Sequence, residues 1–199
     1  AGGFQRTGKL AQLSVSGGAA PRDILEDVEW ADWSPDGKSL VVVRSSGGRM
    51  RLEYPIGKPL YETSGWISHP RVSPSGDSVA FIDHPVLADD GGSVALVDLS
   101  GRKKMLTEPF SSAQGLAWAH DGKTVWFTAA ELSLRALYST TLSGTTRLRS
   151  RVAGNLTLRD ISGDGKMLVT RDTFRTEMHG LAPGESKERD LTWLDYSLP

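Results

Sequence analysis

The chain of 199 residues contains no cysteine, which removes disulfides, thiolate nucleophiles and cysteine-based zinc or iron–sulfur sites together. No run approaches the roughly 18 apolar residues that span a bilayer, and residues 1–20 lack the basic start and apolar centre of a signal peptide. As given, the chain reads as soluble, without direct membrane insertion, and its compartment stays open. An excess of one charge is lacking too: 23 Lys and Arg against 24 Asp and Glu leave a formal net charge of −1. Such a chain has no general pull toward nucleic acid. Catalytic signatures are missing as well. There is no Gly-x-Ser-x-Gly elbow for a Ser-His-Asp hydrolase, no glycine-rich loop with a following lysine, no His-Arg-Asp and no Asp-Phe-Gly. The abrupt ends, Ala1-Gly2-Gly3 and Ser197-Leu198-Pro199, are those expected of a segment of a larger protein.

What is abundant is turn chemistry. With 22 Gly, 10 Pro and 38% hydrophobic residues, the composition fits many short strands joined by tight turns. Self-similarity organises them. Segments 31–43, 69–81, 115–127 and 158–169 each read as strand, turn, strand, with turn glycines at Gly37, Gly76, Gly122 and Gly165. Their spacings of 39, 46 and 43 residues match four-stranded propeller blades. Apolar runs such as Leu40-Val41-Val42-Val43, Val79-Ala80-Phe81-Ile82 and Val125-Trp126-Phe127 suit strands buried on both faces. A more polar outer hairpin follows each, turning at Gly57, Gly101, Gly144 and Gly184.

The fold class expected is therefore all-β, a β-propeller of four-stranded antiparallel blades filling 1–199 as one region. Its units fall at 30–67, 68–113, 114–156 and 157–190, after an outer hairpin at 4–29 and before the start of a further strand at 191–199. The ends could join into about five blades. Otherwise the chain is an arc of a larger ring, open to self-association through exposed blade edges.

The turns Trp33-Ser34-Pro35-Asp36-Gly37-Lys38, Val72-Ser73-Pro74-Ser75-Gly76-Asp77, Trp118-Ala119-His120-Asp121-Gly122-Lys123 and Ile161-Ser162-Gly163-Asp164-Gly165-Lys166 resemble the WD-like repeat of TolB-type propellers. More narrowly, residues 32–37, 62–71, 114–118 and 188–195 resemble the propeller region of bacterial eukaryotic-like serine/threonine kinases. That resemblance implies a non-catalytic sensor or interaction module of a bacterial signalling protein, cytoplasmic or on the outer side of a membrane-anchored one, any kinase domain lying outside this chain. It implies a protein, peptide or small-ligand partner, no nucleic acid and no cofactor. The alternatives are the accessory propeller of a serine peptidase and a periplasmic TolB-like partner protein.

Propeller geometry puts the Asp-Gly turns on one face, where Asp36, Asp121 and Asp164 read as turn-formers. The opposite face collects the longest loops, where function concentrates. There Trp66, His69, Asp83, His84, Phe110 and Gln114 form the candidate ligand or partner site around the channel mouth. Asp83, His84, Asp89 and Asp90 match neither a calcium loop nor a zinc helix, so no metal is expected. Arg147, Arg149 and Arg151 read as a protected strand edge, and Trp30, Trp33, Trp118, Trp126 and Trp193 as core between blades.

Overall fold

The computed structural model describes residues 7–18, 20–172, 177–181, 183–184 and 186–192; Trp193 and the strand expected at 191–199 fall almost wholly outside them. Strands β1 (Gly8–Gln12), β2 (Arg22–Trp33), β3 (Leu40–Ser46), β4 (Arg49–Glu53) and β5 (Pro59–Thr63) form the first sheet in sequence order. The second is β6 (Trp66–Val72), β7 (Ser78–His84), β8 (Ser93–Asp98) and β9 (Lys103–Met105). The third is β10 (Ser112–Trp118), β11 (Thr124–Ala130), β12 (Ala136–Thr141) and β13 (Thr146–Ser150). β14 (Asn155–Ile161) pairs with β15 (Met167–Asp172), and β16 (His179–Gly180) with β17 (Arg189–Asp190). Every pairing is antiparallel.

Two features differ from the repeat read in the sequence. The hairpin at 4–29 shares a strand with the following unit, because β2 runs unbroken from Arg22 to Trp33. Its first half pairs with β1 and its second with β3, and Asp27 takes a left-handed φ of 58° at the junction. In the fourth unit, β14–β15 and β16–β17 are separate two-stranded sheets among the described residues.

The turns form as their chemistry dictates. Gly37, Gly76, Gly122 and Gly165 each donate an amide hydrogen bond three residues back, at 2.8–3.0 Å, with φ between 64° and 81°. Asp36 accepts from the Ser34 hydroxyl and the Lys38 amide, and Asp121 from the Lys123 amide. The Ser34 bond, the larger cause, holds the Asp36 carboxyl below its ordinary range.

Alternation explains the apolar runs Val41–Val43, Val79–Ile82 and Val125–Phe127 in the second strands of the first three sheets. Along β7, Val79 and Phe81 enter the core shared with the first sheet, alongside Val41, Val43 and Leu52. Ala80 and Ile82 enter the core shared with the third, alongside Leu116, Val125 and Phe127. Successive side chains point to opposite faces and both faces are covered, so the middle of the strand is apolar on both sides, while Asp83 and His84 at its end are accommodated by hydrogen-bond partners. Each large side chain so buried contributes about 1.5–3 kcal/mol.

The first strands β2, β6, β10 and β14 lie side by side, and each carries a bulge at the matching place. The register breaks at Val28/Trp30, Ser68/Arg71, Gln114/Leu116 and Leu158/Asp160. A bulge bends its strand and re-aims the side chains around it. At Gly115, with φ 78°, an added Cβ would lie 2.2 Å from the Leu158 carbonyl oxygen. β10 therefore approaches β14 more closely than any side chain allows.

Candidate functional site

The site begins at the β6 bulge, where His69 takes a left-handed φ of 50°. Burial, foremost, pushes its imidazole down to about 3, and that of the fully buried His84 down to about 4. Both rings are therefore neutral at physiological pH, and their partners then dictate the proton positions. His84 Nδ1 lies 3.0 Å from the Gly91 carbonyl, which only accepts, so Nδ1 carries the proton. His84 Nε2 is left as acceptor for the Ser68 hydroxyl at 2.8 Å. Ser68 Oγ in turn accepts from His69 Nδ1 at 2.9 Å. The result is a directed chain from His69 through Ser68 and His84 to the backbone of the β7–β8 loop. Aromatic rings seal it: Trp66 stacks on His84 at 3.7 Å and Trp30 lies against His69 at 4.2 Å between centroids.

The six residues selected from the sequence divide in a definite way. Trp66, His84, Phe110 and Gln114 all end on loop 85–92. Trp66 Nε1 donates to the Asp89 carbonyl at 2.7 Å and Gln114 Nε2 to Asp90 Oδ2 at 3.2 Å. Phe110 and Gly92 exchange backbone hydrogen bonds at 2.9 and 3.0 Å. The Phe110 ring packs against Phe127 and Tyr138. His69 acts on the loop only through Ser68 and His84. Asp83 points the other way, as alternation along β7 requires. It binds Lys103 Nζ at 2.7 Å and accepts from the Tyr61 hydroxyl at 3.2 Å, tying the first sheet to the second. The six side chains thus support a surface more than they form one.

What they support is exposed. Val86, Leu87, Ala88 and Asp89 face solvent at the tip of loop 85–92, as do Glu131, Leu132, Ser133 and Leu134 on the equivalent loop of the third sheet. Asp90 joins the two loops. Its Oδ2 accepts from Ser112 Oγ at 2.6 Å and lies 3.8 Å from Arg135 Nη1, itself 3.2 Å from Ser112 Oγ. Sequence reasoning did not select Ser68, Arg135 or the apolar tips, and it weighed Asp90 only as a metal ligand. Pro85-Val86-Leu87-Ala88, four residues without a polar side chain inside a loop, was the available signal.

The turn face holds a cavity of about 440 Å³ where the first strands end, lined by Asp32, Trp33, Arg71, Trp118, His120 and Asp160 among others. Arg71 lies 3.6 Å from Asp32 and donates to the Arg159 carbonyl at 3.0 Å. Burial raises the Asp32 carboxyl, against the opposing pull of Arg71. Trp33, expected in the core between blades, is instead half exposed at this rim. As the last residue of β2 it projects beyond the covered part of the sheet.

No protein-family model matches this chain, and no curated protein does either. Among solved structures it is similar to TolB from Acinetobacter baumannii, with a TM-score of 0.61, 19% identity, and cover of 86% of this chain and 42% of that one. A putative TolB from Agrobacterium tumefaciens gives 0.54 and 20%, covering 79% and 68%. A puromycin-hydrolyzing peptidase of Mycobacterium tuberculosis gives 0.60 and 16%, covering 92% and 35%. The chain thus spans less than half the length of the first and third of these proteins. Stacked antiparallel sheets whose first strands adjoin, joined by Asp-Gly turns and superposing on these structures, give this chain the TolB-like β-propeller fold.

Proposed function

We propose that this propeller is a non-catalytic recognition module of a bacterial signalling protein, accompanying a serine/threonine kinase domain, and that it binds a protein or peptide partner through its loop-rich face. The observation that carries the reading is loop 85–92. Hydrogen bonds of the half-buried Trp66, the buried His84 and the half-buried Asp90 hold its stem, while its apolar tip stands in solvent. Binding surfaces gain affinity when their geometry is set before the partner arrives, because less ordering entropy is then lost. A neutral histidine, a stacked indole and a bridging carboxylate set this loop.

The test is a displayed random-peptide library selected against the protein, followed by rebinding to a variant carrying Val86→Ser, Leu87→Ser and Ala88→Gly. Glycine suits position 88, whose φ is 65°, so the loop stem stays intact. Capture is expected to fall at least about tenfold with the fold unchanged by circular dichroism. Undiminished capture would move the binding surface elsewhere, the turn-face cavity being the first place to look.

A further inference from the structure

Val86, Leu87, Leu132 and Leu134 are 58%, 52%, 95% and 40% exposed. Single exposed leucines are ordinary, but four large apolar side chains on two joined loop tips form a patch. At the loop tips the charge is one-sided, while Lys104, farther out along the same seam, is engaged by the Leu142 carbonyl. Asp89, Glu108 and Glu131 are exposed. Arg135 is only 12% exposed, its guanidinium taken up by Asp90, Asp172, Ser112 and the Leu156 carbonyl. Arg151 is the exposed cation on the neighbouring blade connection. Glu108 and Glu131 also line one groove of about 470 Å³ with Met105, Pro109 and Phe110, running down the seam between the second and third sheets.

We propose that this patch docks a cationic amphipathic segment of a partner protein. Its large apolar side chains rest on Leu87 and Leu132, and an interleaved lysine or arginine enters the groove between Glu108 and Glu131. Charge complementarity selects this occupant. An anionic lipid surface would meet three exposed carboxylates, and a second copy would present the same acidic rim to itself. The inference rests on the loop-face reading above and adds the chemistry of what binds there.

Two variants separate the two ideas: Leu87→Asp with Leu132→Ser, and Glu108→Lys with Glu131→Lys. All four positions are exposed or lie in loops, and circular dichroism checks the fold of each. Peptides selected from a displayed library against the unaltered protein are expected to carry lysine or arginine beside large apolar residues. They should bind both variants at least about tenfold more weakly, and bind the unaltered protein more weakly as salt rises. Peptides that need Leu87 and Leu132 yet ignore the charge reversal would overturn the cationic assignment and leave the loop-face reading standing. Peptides indifferent to both variants would overturn both ideas. Binding to phosphatidylserine vesicles, or a concentration-dependent dimer abolished by Leu87→Asp, would overturn the choice of partner.

Discussion

The indole of Trp66 lies flat on the imidazole of His84, 3.7 Å between centroids and 10° between planes, while its Nε1–H reaches the carbonyl of Asp89. One side chain thus covers a buried histidine and grips the loop which that histidine also holds. The first strand and the loop-bearing hairpin of the second sheet are coupled through this contact.

The two residues carry different loads, so their substitutions should differ in size. Trp66→Phe keeps an aromatic ring over His84 and loses one hydrogen bond, about 0.5–1.5 kcal/mol. His84→Leu leaves the Gly91 carbonyl and the Ser68 hydroxyl without their partner in a dry interior, about 2–4 kcal/mol. Urea denaturation gives both values. Hydrogen exchange should show the amides of 89–92 opening sooner in each variant; equal losses would mean that the loop is held some other way.

Acid should destabilise the protein through the two histidines. Their folded values, about 3 for His69 and about 4 for His84, lie below the ordinary 6.5, so between these limits the unfolded chain binds protons that the folded one refuses. The stability they contribute is complete above pH 6.5 and falls as the pH drops toward 4 and then 3, by up to about 1.4 kcal/mol per pH unit for each histidine. The hydrogen-bonded carboxyls of Asp36, Asp77 and Asp164, each held below its ordinary value of 3.8, act only at lower pH. Denaturation midpoints at pH 7, 6 and 5 check this. His84→Gln should flatten the slope, and an unaltered slope in that variant would rule His84 out as its source.

Two glycines with nearly the same backbone angle should respond very differently to alanine. Gly76, φ 76°, has open space around the missing Cβ, so Gly76→Ala costs only the left-handed conformation, about 1–2 kcal/mol. Gly115, φ 78°, faces the Leu158 backbone at 2.2 Å. Gly115→Ala must also push β10 from β14, and roughly 3 kcal/mol or more is expected. Thermal midpoints of the two variants test the close approach; similar shifts would argue against it.

The sequence by itself determined the all-β class, the tight turns at Gly37, Gly76, Gly122 and Gly165, and the apolar runs buried on both faces in the first three sheets. Those properties are local or periodic: Pro-Asp-Gly chemistry specifies a turn within four residues, and an unbroken apolar run specifies a doubly covered strand. Of the sequence's six candidate residues, Trp66, His84, Phe110 and Gln114 contact loop 85–92, while Asp83 turns away from it. Only the tertiary structure decided what those residues do there. Trp66 and His84 are 18 positions apart, and Asp90 meets Arg135 across 45, so neither pairing has a period or spacing to reveal it. The bulges in the first strands were equally hidden. A bulge changes which side chain faces inward without changing composition, as at His69 on the β6 bulge, whose ring is buried.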